Sequence, residues 1–185
     1  MPDSTPPAAG ERAQRDALLT SVWWLLTALM GLCLILGAGG LLAYPYLLIN
    51  QADIVARMAG MGIEASALPW LGALGGLVAA VSALTFFFLR HLRRIVDSVA
   101  DGQPFEPLNA DRLQAMAWLS IAIQVAVVPM TRLIVWFDAL PYKPNVHHDS
   151  DGVEIAGIVL TLVLFVLARV FREGTRLRDD LAEMI

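Results

Sequence analysis

Charge is scarce in this chain and missing altogether from long parts of it. Of 185 residues, 16% are charged and 57% hydrophobic, where a soluble domain carries about 25% charged residues. No Asp, Glu, Lys or Arg occurs between Asp16 and Asp53, between Glu64 and Arg90, or between Arg112 and Arg132, and a shorter gap separates Glu154 from Arg169. Backbone polar groups in hydrocarbon must find partners inside the protein, so such stretches become helices that pack on one another. Cysteine is nearly absent. Cys33 stands alone in the first apolar stretch, which excludes an intrachain disulfide and a cysteine metal cluster and leaves a small packing residue. The net charge is −4, and no basic patch is large enough for direct nucleic-acid binding.

Catalytic patterns are missing too. There is no Walker motif, no H-E-x-x-H, no G-x-S-x-G and no ordered Ser/His/Asp set. The expectation is a protein that is not an enzyme, with no cofactor implied. Ionisable side chains, the usual mark of ion pathways, are absent from the span centres. Gln124, near the middle of the third stretch, is the one strongly polar side chain there. It is expected to hydrogen-bond between helices rather than to form a transport site.

What remains is an all-α, integral membrane four-helix bundle, with spans expected at about 18–44, 68–89, 113–133 and 152–171. Residues 1–16 read as a disordered cytoplasmic tail and 17–185 as a single membrane domain. The first apolar run is far longer than a signal-peptide core of roughly 7–15 residues, so it reads as an uncleaved span. Trp23 and Trp24 mark one of its ends, and Tyr44 and Tyr46, flanking Pro45, the other. With four spans, Arg12, Arg15, Arg90, Arg93, Arg94, Arg112, Arg169, Arg172, Arg176 and Arg178 fall on one side, against Arg57, Arg132 and Lys143 on the other. If the fourth stretch did not cross, that ten-to-three split would become six to seven. The positive-inside rule favours the four-span arrangement, with both termini cytoplasmic.

The second span carries small residues at four-residue spacing, Gly72, Gly76 and Ala80, beside Gly75, Ala79 and Ala83. Such a face lets another helix approach closely, either within one chain or across a homodimer seam. Helical character continues past spans two and four. Leu92, Ile95, Val96 and Val99 recur at i, i+3, i+4, i+7, and Val170, Leu177, Leu181 and Met184 form a second apolar stripe notched by Gly174. Asn109 is expected to cap the helix that becomes span three. The two amphipathic extensions need cover: one another, lipid headgroups, or a soluble partner. On the opposite side, His147, His148, Asp149 and Asp151 occupy a loop with no metal-ligand spacing, read as an ordinary polar loop with a sensor of metal or acidity as the alternative, and Arg132 is placed to pair with Glu154.

The connector Gly102-Gln103-Pro104-Phe105, followed by Asn109 and Leu113, and the closing segment Phe171-Arg172-Glu173-Gly174-Thr175-Arg176-Leu177, with Asp180 and Glu183, carry a resemblance. Over roughly 68–185 the chain resembles a bacterial family of four-span membrane proteins, numbered 2975 among the domains of unknown function. Members are often encoded beside a small Cro/cI-type helix-turn-helix regulator. The resemblance implies a membrane protein that binds or modulates such a regulator, with Val170, Gly174, Leu177, Leu181, Met184, Leu92, Val96 and Val99 as the partner-binding residues. The alternative is a small transporter or channel subunit.

Overall fold

The computed structural model describes residues 9–101, 106–138 and 155–183, with side chains over 20–101, 106–136, 155–177 and at 180. Five α-helices carry nearly all of it: α1 (Ala9–Ile49), α2 (Gln51–Gly60), α3 (Leu68–Ala100), α4 (Pro107–Asp138) and α5 (Ile155–Glu183). A single 3-10 turn, Ala65–Ala67, leads into α3, and no strand occurs among the described residues. Four helices, α1, α3, α4 and α5, are long and apolar enough to cross a membrane. The chain is an all-α, four-helix membrane bundle.

Several boundaries differ from the sequence reading. Residues 9–16, expected in the disordered tail, are the first turns of α1. Ala9, Glu11, Arg12, Ala13 and Gln14 are good or moderate helix formers joined to an existing helix, so no new nucleation is required. At its other end α1 runs through Pro45 to Ile49 rather than stopping at Tyr44. Proline costs a hydrogen bond there but does not end the helix. The Asn50 side chain then donates to the Tyr46 carbonyl at 3.0 Å, satisfying one of the last acceptors. Helix α2 has no counterpart in the sequence reading. It ends in a Schellman turn: Ile63 N–H bonds Met58 O at 2.9 Å and Gly62 N–H bonds Ala59 O at 3.1 Å, with Gly62 at φ +75°. The third spanning helix starts at Pro107, not at an Asn109 cap. Proline at a helix start loses no intrahelical bond and presets φ, which leaves Asn109 free for a tertiary role.

The helices pack in chain order, α1 on α3, α3 on α4 and α4 on α5, and among the described residues α1 does not pack along α5. Each pair is antiparallel. Against α3, α1 sets Trp23 near Arg93, Gly37 near Ser82 and Tyr44 near Gly72. Asn109 meets Ser98 at one end of the α3–α4 pair and Trp136 meets Trp70 at the other. Thr161 meets Gln124 and Arg172 meets Asp111 between α4 and α5. One end of the bundle therefore gathers Arg90, Arg93, Arg94, Arg112, Arg169, Arg172 and Arg176, and the other gathers Tyr44, Trp70 and Trp136.

Packing is tightest where α1 crosses α3. A Cβ on Gly40 would stand 2.5 Å from the Gly75 carbonyl oxygen and 3.0 Å from Ala79 N. One on Gly75 would meet Gly40 O at 2.9 Å and Ala43 Cβ at 3.1 Å. The face of α3 in use is Gly72, Gly75, Ala79 and Ser82, a 3-4-3 progression. Of the six small residues read from sequence as one broad face, Gly72, Gly75 and Ala79 lie on it; Gly76, Ala80 and Ala83 are exposed, and a Cβ on Gly76 would meet nothing within 4 Å. Strict four-residue spacing drifts around a helix of 3.6 residues per turn, whereas alternating three and four keeps a seam facing a long antiparallel neighbour.

Candidate partner-binding site

The arginine-rich end is held in place by a core and a polar clasp. Leu113, Met116 and Ala117 of α4 bury against Leu164 and Ala168 of α5, with Phe88, Leu92, Ile95, Phe165 and Phe171 packed around them. Above this layer, Asn109 is fully buried, and its Nδ2 donates to Ser98 Oγ at 2.7 Å. Ser98 Oγ in turn donates to Ile95 O at 2.8 Å. Arg112 Nη1 reaches Asn109 Oδ1 at 2.8 Å, Glu106 Oε2 at 3.2 Å and the Arg94 carbonyl at 3.2 Å. One guanidinium thus ties α4 to the last turns of α3. Its partners satisfy the buried amide, which would otherwise cost about 1–3 kcal/mol.

Helix α5 is tied to α4 at two levels. At this end Arg172 Nη2 donates to Gln114 Oε1 at 2.7 Å and pairs with Asp111 Oδ1 at 3.2 Å. Both charges are largely exposed, so the pair fixes register more than it stabilises. Deeper in the bundle, Gln124 Nε2 lies 3.1 Å from Gly157 O and 3.0 Å from Thr161 Oγ1, and Thr161 Oγ1 donates to Ser120 Oγ at 2.9 Å. Gly157 makes room, since a Cβ there would sit 3.0 Å from Gln124 Cδ. The expected interhelical role of Gln124 is the one observed. Hydrogen bonds of this kind average roughly 0.6 kcal/mol and reach about 1.7. Gln124→Leu is accordingly expected to lower stability by about 1 kcal/mol, read as a lower unfolding midpoint in detergent; no change would leave the network without energetic weight.

Beyond these ties α5 continues as an unbroken helix to Glu183. Val170 and Leu177, seven residues apart on one face, are each 58% exposed, and Gly174 between them is half-buried. Thr175, on a different face, is the buried residue of this turn. On α3, Leu92 belongs to the core layer, Val96 is half-buried and Val99 is exposed. The two halves of the expected site therefore differ: Leu92 is already used inside the chain, while Val170 and Leu177 are not covered by any described residue to a degree that buries them. Leu181 lies on α5 with its side chain outside the described set. Met184, the 102–105 connector, His147, His148, Asp149, Asp151 and Glu154 lie outside the described residues, and with them the expected Arg132–Glu154 pair.

His91 sits just past the charge-free part of α3, with Nδ1 buried and without a hydrogen-bond partner among the described residues. Sequence reading singles out neither Ser98, Gly40 nor Thr161, and it gives Arg112 no tertiary role. The signal for each is a polar or small residue in helical phase with a partner on another helix, which is invisible until the register is known.

A family model described as a protein of unknown function (DUF2975) matches residues 53–185. No curated protein and no solved structure matches the chain.

Proposed function

We propose, because the chain belongs to the DUF2975 family, that it is a non-enzymatic multi-pass membrane protein that holds a cytoplasmic helix-turn-helix regulator against the bilayer. The arginine-rich end faces the cytoplasm in this reading, the orientation that the ten-to-three charge split favours. The supporting observation is Leu177, exposed at the end of the apolar part of α5, on a helix that continues to Glu183. An amphipathic helix presenting anchors one heptad apart is a common mode of docking onto an apolar groove. No chemistry is needed: sequestration at a membrane lowers the free concentration of a regulator by binding alone. Co-expression of the full chain with a compact helix-turn-helix protein from an adjacent reading frame, followed by fractionation, tests the reading. The regulator is expected in the membrane fraction, and a regulator that stays soluble beside abundant membrane protein contradicts it.

A transporter or channel subunit is the weaker reading. The polar residues near mid-bundle, Ser120, Gln124 and Thr161, bond to one another rather than lining an open path.

A further inference from the structure

Helix α3 leaves its charge-free stretch at Leu89 and at once carries Arg90, Arg93 and Arg94. At 100° per residue these three occupy a sector of about 100° on one side of the helix. Arg93 is directed toward α1, its guanidinium carbon 4.4 Å from the centre of the Trp23 ring. Trp23 itself meets Trp24 edge-to-face at 5.2 Å. Arg94 lies on the side of α4, where its carbonyl accepts from Arg112. Arg90 and Arg94 are exposed and Arg93 is half-buried. Three acids of this end are engaged with other arginines: Glu106 pairs with Arg112, Asp111 with Arg172 and Glu173 with Arg176. Asp97, one turn farther along α3, pairs with neither Arg93 nor Arg94. Among the described residues none of the three arginines has a carboxylate partner.

We propose that Arg90, Arg93 and Arg94, with Trp23 beside them, form a binding site for the phosphate of an anionic glycerophospholipid. The placement fits this ligand. The arginines begin where the apolar surface ends, which is the depth of the headgroup phosphates, and tryptophan favours the same layer. Guanidinium groups bind phosphate oxygens through paired N–H donors. An acyl chain below the phosphate would lie on the apolar side of α1 and α3, where Phe87 is exposed. The site depends on the helices crossing a bilayer and is independent of the regulator reading.

Titration of the full chain in a neutral detergent with short-chain phosphatidylglycerol, and separately with phosphatidylcholine, tests this through tryptophan fluorescence. Saturable binding of phosphatidylglycerol at least tenfold tighter than phosphatidylcholine is expected. A basic residue near an anionic lipid surface contributes about fivefold in affinity, so Arg90→Gln with Arg94→Gln is expected to weaken phosphatidylglycerol binding roughly 25-fold. Arg90→Gln alone, at an exposed position where folding is not at risk, is expected to weaken it about fivefold. Arg176→Gln, remote from the cluster, is the control and leaves affinity unchanged. Equal affinity for the two lipids, or unaltered affinity in both Arg90 variants, overturns the site. Displacement of the lipid by an equal concentration of inorganic phosphate overturns the assignment to a lipid and points to a soluble phosphate instead.

Discussion

Replacement of Gly40 by leucine is expected to pull α1 away from α3 and to be the most damaging single substitution in the spanning helices. The atoms a side chain would strike are backbone: the Gly75 carbonyl oxygen at 2.5 Å and Ala79 N at 3.0 Å from the position of a Cβ. Backbone within a packed helix cannot rotate aside as a flexible side chain can, so the two helices must separate. Overpacking costs about 1–3 kcal/mol where side chains can adjust, and occasionally more, so the upper end of that range, about 3 kcal/mol, is expected here. Two glycines of the same helix provide the control. A Cβ on Gly31 or on Gly39 would meet nothing within 4 Å. Gly39→Leu should change stability by no more than about 0.5 kcal/mol, with helix propensity favouring the leucine. The measurement is the unfolding midpoint of each variant in the same detergent. Equal behaviour of Gly40→Leu and Gly39→Leu would mean that α1 and α3 do not meet at Gly40.

Leu177→Asp together with Leu181→Asp is expected to release the regulator from the membrane while the protein itself still accumulates. Leu177 is mostly exposed in the chain alone, so a charge there does not disturb the Leu113–Met116–Leu164 core. In a complex that buries them, each leucine contributes roughly 1.5–3 kcal/mol. Loss of two such contacts weakens binding about a hundredfold or more, at 1.4 kcal/mol per factor of ten. Co-purified regulator is counted per molecule of membrane protein. If the stripe served only to pack inside the chain, the double variant would lower the amount of membrane protein and leave that ratio unchanged.

Much of the architecture was legible from charge alone. Gaps between Asp16 and Asp53 or between Glu64 and Arg90 are long enough to define spans, because a charge in hydrocarbon costs so much that its absence is informative. The continuation of α3 and α5 past their apolar parts followed from the periodicity of Leu92, Ile95, Val96 and Val99 and from Val170 and Leu177. Gln124 was legible as an interhelical residue since a lone amide in mid-span needs partners. The partners themselves were not: Ser120 and Thr161 are common enough in membrane helices to carry no signal singly. Helix α2 escaped because its inward residues, Ile54, Val55 and Met58, cover little more than one turn. The Pro45 boundary was misplaced because proline's cost in a helix can be offset by everything around it.

The site was less legible than the fold. Asn109 has the residue type of a helix cap, yet Pro107 starts the helix and frees the amide to reach Ser98. Gly76 and Ala80 share the small-residue face read from the sequence, yet the seam uses only Gly72, Gly75 and Ala79 of that face and adds Ser82. Both errors come from applying a local rule where inter-helix register decides. Residues such as Ser98 and Asn109 meet because α3 and α4 are antiparallel and in one particular phase, and that phase is set by the sum of the packing along both helices.

Both the regulator reading and the cytoplasmic placement of the α5 stripe require that the arginine-rich end face inward. Alkaline phosphatase fused after Gly62, at the end of α2, and after Ile185 measures this directly, because the enzyme is active only when exported. The account predicts strong activity from the Gly62 fusion and none from the Ile185 fusion; strong activity from the Ile185 fusion would contradict it.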